Sequence, residues 1–470
     1  MRRFGFHTVL LYSVMAWLCL TAQCAEAPAD QSWPPPLQGA VNGTVTFTSD
    51  LFLKVPPTVV EEAAQPGAAP FIMAETAPTV DLAFHGSLPD RALNGTGWSA
   101  WGDIAVASDG KVYSGIGDHG DDAGGKSHAY LYQWDPKTKV LKQVVDLNAI
   151  VPRNNGESTW SKLHARILEG ADGNIYFTGT LNDGNTADKP QFKWSEAIPG
   201  GQIYQYNPKT GQATLYANLP AGHCTATTLI DRKRNIWWCN LETGPNGLWA
   251  FDLTTKQELY RAPAGSVTFN RNFAMDRDGN TYFNGKGSIW KCDLQAKTIT
   301  PMKSSFGAAD GSGMRASTDE SKDGWIYGCA MGTNQLFRFA PAKDQLELLG
   351  PNFLVKGDYT TVCVLSPDQK YVYYMPGSHG TAVGTGAPVI QYNIAKKQRK
   401  VLAFLREPME KLYHYVPGGT YGVKLSPDGG TLYVNLNGHA ADDIRPKGMT
   451  ASGFGLTAFM ALHIPASERR

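Results

Sequence analysis

The chain of 470 residues carries almost no net charge, since 43 Lys and Arg against 42 Asp and Glu leave a formal +1. That balance removes the basic field on which a duplex nucleic-acid binder relies, so no nucleic-acid partner is expected. Long Ala, Glu, Lys and Leu runs are missing, which argues against a helical protein. Beyond residue 27 only Cys224, Cys239, Cys292, Cys329 and Cys363 remain. An odd number with no Cys-x-x-Cys pair excludes a disulfide scaffold and a haem attachment site, and most of the five are expected in the β core. Export permits one or two bridges without requiring them. There is no Gly-x-Ser-x-Gly elbow and no Walker loop. The strand and helix alternation of a dinucleotide fold is absent as well.

Hydrophobic runs are also short. Residues 9–20 form the longest, below the roughly 20 residues of a spanning helix. Preceded by Arg2 and Arg3 and followed by Ala22-Gln23-Cys24-Ala25-Glu26-Ala27, the run has the order of a secretory signal peptide over residues 1–27. The mature chain is therefore expected to be exported, periplasmic or extracellular, with no transmembrane segment. A lipidated Cys24 is the weaker reading, because Gln23 is not the small residue usual before such a cysteine. Residues 28–76, rich in Pro and Ala, read as an N-terminal extension, and 77–470 as the folded domain.

What the sequence has in quantity is turn and aromatic residues: 50 Gly, 29 Pro, 12 Trp and 20 Tyr in a chain only 18% charged. They are arranged in a repeat. Asp109-Gly110, Asp172-Gly173, Lys233-Arg234, Asp278-Gly279, Asp323-Gly324, Asp368-Gln369 and Asp428-Gly429 each separate an apolar strand from a Tyr- or Trp-rich one. Asp-Gly between alternating strands is a hairpin signal. Subtracting successive positions gives 63, 61, 45, 45, 45 and 60 residues, which approaches the roughly 40 to 50 of a four-stranded propeller blade. A second turn series, typified by Trp134-Asp135-Pro136-Lys137 and Tyr206-Asn207-Pro208-Lys209, marks the outer hairpins. The spacing predicts an all-β, seven-bladed β-propeller of strands A to D per blade. The final repeat lacks a fourth strand after residues 455–462, and 79–84 reads as the missing one. Pairing it with the last blade would close the ring and hide an exposed edge.

Regular A-to-B and C-to-D turns share one face, so the irregular insertions crowd onto the other. Function is expected there. His119, His128, His164, His223, His379, His414 and His439 fall on that loop face, and histidine serves as ligand, acid or base near neutral pH. Eight residues before each A-to-B turn stand Trp101, His164, Thr225, Asn270, Arg315, Thr360 and Thr420. Six before stand Asp103, Arg166, Thr227, Asn272, Ser317, Val362 and Gly422. Alternate strand residues share a face, so His164 and Arg166 should point together at the channel mouth, with Arg271 and Arg315 nearby. Guanidinium groups pair with carboxylates in a fork, and Trp98, Trp101 or Trp160 offers a ring on which a sugar stacks. The blander expectation is that Asp103 pairs with Arg166 and ties two blades together. Two further clusters stand out. Gly117-Asp118-His119-Gly120-Asp121-Asp122 with His128 is a candidate site for a divalent metal, calcium or zinc, although a solvated loop fits it too. Tyr413-His414-Tyr415 pairs a proton donor with a base.

The repeats, the leader and the His/Arg/Tyr mouth resemble the secreted bacterial seven-bladed propellers that degrade acidic polysaccharides, the ulvan lyase and oligogalacturonate lyase type. The resemblance is architectural, from about residue 78 onward. It implies that a His or Tyr removes the proton alpha to a uronate carboxylate, that an Arg or a metal neutralises the carboxylate, and that the 4-linked sugar leaves by β-elimination. On this basis His164, Arg166, His128 and Tyr413 are the catalytic candidates. Trp101, His223, Asn270, Arg271, Arg315, His414 and Tyr415 are candidates for binding an acidic polysaccharide or oligosaccharide, and His119 and His128 for holding a metal. A non-catalytic glycan- or protein-binding platform and a metal-dependent lactonase or other hydrolase are the alternatives on the same fold.

Overall fold

The structure is a computed structural model that describes residues 34–86, 98–118, 128–151, 160–181, 201–241, 247–263, 265–267, 271–285, 288–307, 313–447, 449 and 451–470. At 160–161 and 180–181 only the backbone is described. Seven sheets form the blades of a β-propeller. Their inner strands are Ala105–Val106, Leu168–Glu169, Thr228–Asp231, Ala274–Met275, Gly313–Ser317, Cys363–Leu365 and Tyr415–Leu425. Each blade packs between two others, so its middle strands are apolar on both faces: all six residues of Ile236–Leu241 are buried. The outermost strands turn polar, as in the largely exposed Gln257–Arg261.

The two turn series are conserved in geometry from blade to blade because one residue in each takes a left-handed backbone. In the A-to-B turns this is Gly110, Gly173, Asn235, Gly279, Gly324, Gln369 and Gly429. Outer turns are fastened by Asx bonds, in which Asp135 and Asn207 accept from the backbone N–H two residues on, each at 2.9 Å. Asparagines, buried Asn437 and half-buried Asn284, staple neighbouring blades. Asn437 exchanges two hydrogen bonds with the backbone of Ala100, at 2.7 and 2.8 Å. Asn284 does the same with Met314 at 2.8 and 3.1 Å.

The ring closes as the repeat pattern requires. Thr79–Phe84 pairs antiparallel with Ala458–His463, from Thr79 opposite His463 to Phe84 opposite Ala458, and so supplies the fourth strand of the seventh blade. The extension is also built into the sheets. Thr44–Thr48 adds a fifth strand beyond Thr79–Phe84, Phe71–Met73 pairs parallel to Gln398–Phe404 on the sixth blade, and Val59 between them is fully buried. Glu468 locks the two ends of the propeller together: its carboxylate accepts from the backbone N–H groups of Glu75 and Thr76 at 2.7 and 2.9 Å and pairs with Lys400 at 2.7 Å. Cys239, Cys292, Cys329 and Cys363 are buried and Cys224 is half-buried, and none of the five is in a disulfide. No helix among the described residues is long and apolar enough to cross a membrane.

Asp81 is the charged counterpart of this closure. It is buried and accepts from Lys139 of the first blade at 2.7 Å, from His463 at 2.8 Å and from Thr46 at 2.5 Å. Burial alone would raise its pKa, but the hydrogen bonds from His463, Lys139 and Thr46 outweigh it and bring the pKa down to about 2. A depressed carboxylate contributes stability that is complete above its unfolded value and is lost as pH falls through the folded one. Urea unfolding is therefore expected to show Asp81→Ala less stable by about 2 kcal/mol at pH 7. The difference should shrink between pH 4 and pH 2, the interval bounded by the unperturbed 3.8 and the folded value of about 2.

Candidate functional site

A funnel opens where the inner strands converge, with about 500 Å³ of non-protein space open to solvent. All seven blades contribute to its wall: Trp101 and Asp103 from the first, His164 and Arg166 from the second, Thr227 from the third, Arg271 from the fourth, Arg315 and Ser317 from the fifth, Thr361 and Cys363 from the sixth, and Tyr421 from the seventh. Alternating burial in the segment that leads into the second inner strand explains that blade's share. Leu163, Ala165 and Ile167 are buried in the blade core, while His164 and Arg166 face the opening as the alternating pattern predicts. Lys162, on the same face, places its ammonium 5.0 Å from the centre of the Trp101 ring.

The cations are held by neutral partners. Arg271 Nη1 lies 2.6 Å from His164 Nε2, joining residues of the second and fourth blades. Arg166 donates to Asn272 Oδ1 across the small Ala226 and Thr227 of the intervening blade. Asn272 in turn donates to Ser317 Oγ at 2.8 Å, and Ser317 to the Phe273 carbonyl at 3.1 Å. Arg315 donates to the Thr361 carbonyl at 3.3 Å and lies 5.8 Å from the Tyr421 ring centre. The expected pairing of Asp103 with Arg166 is not made. Asp103 instead meets Lys424 of the seventh blade and accepts from the backbone N–H of Val423 at 3.2 Å. Among the described residues, Arg166 and Arg315 face no carboxylate within ion-pair distance. Burial, reinforced by Arg271 and Arg166, lowers the Arg315 pKa to about 10.

Beside the guanidinium groups stands an aromatic wall. Phe454 stacks on Trp101 at 5.3 Å, and Tyr421 lies 5.2 Å from the same ring. His379, edge-on to Trp101 at 5.4 Å and stacked on Tyr359 at 5.6 Å, completes the wall. Although His379 remains exposed, the desolvation its neighbours impose, with Arg315, Arg271 and Lys162 nearby, lowers its pKa. The Tyr421 hydroxyl lies 3.4 Å from that of Tyr359, and burial raises the Tyr421 pKa, so this phenol holds its proton. The mouth therefore brings guanidinium groups, an imidazole and a protonated phenol together. Lys162, Tyr359, Tyr421 and Phe454 were not singled out from the sequence; His379 was visible only as one loop histidine among seven.

The other sequence candidates are placed elsewhere. His128 stacks on Tyr130 at 5.8 Å, and its backbone N–H donates to Asp118 at 2.8 Å at the base of the first B-to-C loop. His223 is buried in the connection entering the third blade, where its carbonyl accepts from Gly201. Tyr413 packs edge-on against Phe47 at 4.8 Å, His414 pairs with Asp443 at 2.7 Å, and Tyr415 is fully buried beside Phe84. Tyr413 thereby packs the end of the helix Arg406–Tyr413 against the extension, while His414 and Tyr415 are held by a nearby loop and by the closing strand. Trp98 is buried against Tyr130 and has no face for a sugar. Asn270, His119, Asp121 and Asp122 lie outside the described residues, as does the side chain of Trp160. No group of three or more His, Cys, Asp or Glu side chains among the described residues could hold a metal ion. The described funnel wall, rich in guanidinium groups, does not offer the donor set a calcium or zinc ion needs.

No protein-family model matches the chain, and no curated protein matches it. Among solved structures, an oligogalacturonate lyase in complex with manganese aligns with a TM-score of 0.49 at 11% identity, covering 86% of this chain and 97% of that one. A chain of a mitotic checkpoint complex aligns at 0.47 with 11% identity, covering 86% and 95%. The C-terminal WD40 domain of Sif2 aligns at 0.45 with 11% identity, covering 78% and 95%. Nothing about the chemistry of this site follows from them.

Convergent guanidinium groups repel one another in the funnel. Arg315→Met, which removes one half-buried charge while filling similar volume, is expected to stabilise the protein by about 1 kcal/mol in urea unfolding.

Proposed function

We propose that the chain is an exported carbohydrate-active propeller whose funnel binds the carboxylate of a uronate-containing polysaccharide or oligosaccharide and cleaves the 4-linked bond by β-elimination. The observation that carries this reading is the convergence of Arg166, Arg271 and Arg315 on one opening in which Arg166 and Arg315 meet no described carboxylate. At about 4 Å and an effective dielectric near 20, each guanidinium attracts a carboxylate by roughly 4 kcal/mol, against about 1 kcal/mol in water. The aromatic wall would take the apolar face of a sugar ring and the cationic wall its acidic edge.

In the proposed reaction His379 accepts the proton on the carbon next to the carboxylate. The electron pair of that bond forms the new carbon–carbon double bond, and the bond to the 4-linked oxygen breaks. Tyr421, or Tyr359 beside it, protonates the departing oxygen. The guanidinium groups stabilise the charge that builds on the carboxylate as the proton leaves, a task for which preorganised donors are worth most in a partly desolvated site. Arg271 bound to His164 Nε2 supports the same charge and fixes the imidazole of His164.

The test is incubation of the purified mature protein with polygalacturonate, ulvan and alginate, reading new ultraviolet absorbance from unsaturated sugars. Turnover is expected with at least one of them. His379→Asn and Arg315→Gln are each expected to lower kcat by about 10² to 10³-fold. Because only the neutral imidazole accepts a proton, the rate should rise with pH through the lowered His379 pKa and level off before neutrality. Tight binding of these polymers with no unsaturated product would replace elimination by a non-catalytic glycan-binding role.

A further inference from the structure

His379 and Phe454 both sit on loops pinned by glycine. The sixth-blade loop carries His379 between Gly377, φ +91°, and Gly380, φ +88°, and His379 itself adopts φ +63°. Left-handed backbone costs a residue with a side chain about 1 kcal/mol or more, so it persists only where the surroundings impose it. Phe454 stands between Gly453, φ +79°, and Gly455, φ +115°. The two loops and the start of the seventh inner strand meet backbone to backbone. A β-carbon on Gly380 would collide with the Ser452 carbonyl, one on Gly453 with Gly380 Cα, one on Gly418 with the Gly453 carbonyl, and one on Gly419 with the Gly377 carbonyl. Backbone bonds tie the same junction down: Gly377 and Ser378 donate to the Tyr359 carbonyl at 3.1 and 3.3 Å, and Ala382 donates to Gly377 at 2.8 Å. Ser378 Oγ reaches the Thr420 carbonyl at 2.9 Å, and Thr361, whose carbonyl holds Arg315, bonds to that same oxygen at 2.8 Å.

We propose that this glycine junction is a positioning device: Gly380, Gly418 and Gly453 are positioning residues that set His379 and Phe454 against Trp101 and hold the imidazole beside the guanidinium wall. The role assigned to His379 rests on the elimination reading above, whereas the placement of its ring does not. A β-carbon at any of the three positions must push the loops apart and carry His379 away from Arg315, Arg271 and Lys162. Gly384 of the same loop is the control, because a β-carbon there meets nothing within 4 Å.

The test is the titration of His379 by NMR in the full mature chain. In the wild type and in Gly384→Ala the ring should titrate below the ordinary 6.5. In Gly418→Ala and Gly453→Ala the midpoint should move up toward that value, with a loss of kcat on the order of a hundredfold and a smaller change in KM. An unchanged midpoint in the folded glycine variants would overturn the proposal. If neither variant folds, hydrogen exchange of the wild type decides: the Ser378 and Ala382 amides should exchange only through global unfolding, and exchange at the rate of an open loop would sink the idea. A wild type that cleaves no uronate polymer yet shows these shifts would refute the proposed function and leave the junction standing.

Discussion

Backbone hydrogen bonds between Thr79–Phe84 and Ala458–His463 join the two ends of the propeller, and every inner strand depends on them for its place around one axis. An open arc of blades would leave a strand edge exposed and would not bring the second, fourth and fifth blades toward a shared opening. The charges follow the same constraint. Asp81 sits at the closing strand where Lys139 and His463 can reach it, and Glu468 ties the chain just before that strand to the sixth blade through Lys400.

Given closure, the funnel gathers like charges that repel. It tolerates them through neutral partners such as Asn272, the Thr361 carbonyl, the His164 imidazole and aromatic faces, each of which fixes a guanidinium or ammonium without cancelling its charge. The left-handed His379 adds a backbone cost at the same place. Rigid loops matter here because a diffuse set of flexible cations would lose to water what a fixed set gains.

How far the sequence could be read follows the range of the forces involved. The A-to-B and C-to-D turns are local: an Asp, Asn or Gly accommodates a left-handed residue or accepts a bond two residues away, so Asp109-Gly110 and Trp134-Asp135-Pro136-Lys137 declare their hairpins without help. Period-two burial is local too, which is why His164 and Arg166 could be placed on one face. Asp103 was harder, because its choice between Arg166 and Lys424 depends on how neighbouring blades are rotated. Tyr413, His414 and Tyr415 look like chemistry when read in order, yet Tyr413 packs on Phe47 of the extension, His414 pairs with Asp443 and Tyr415 is buried against Phe84. His379 carried no local mark that separated it from the other loop histidines.

The amino-acid sequence alone determined the number of blades, the identity of the closing strand and that His164 and Arg166, just before the second inner strand, share a face, since each is written within a few residues by turn chemistry or alternating burial. Tertiary structure decided which side chains share the mouth, which charge meets which partner and that His379 rather than Tyr413 faces the guanidinium groups. Those outcomes depend on contacts between residues far apart in the chain, such as Arg271 with His164 and Gly453 with Gly380, whose geometry exists only once seven sheets have packed around a common axis.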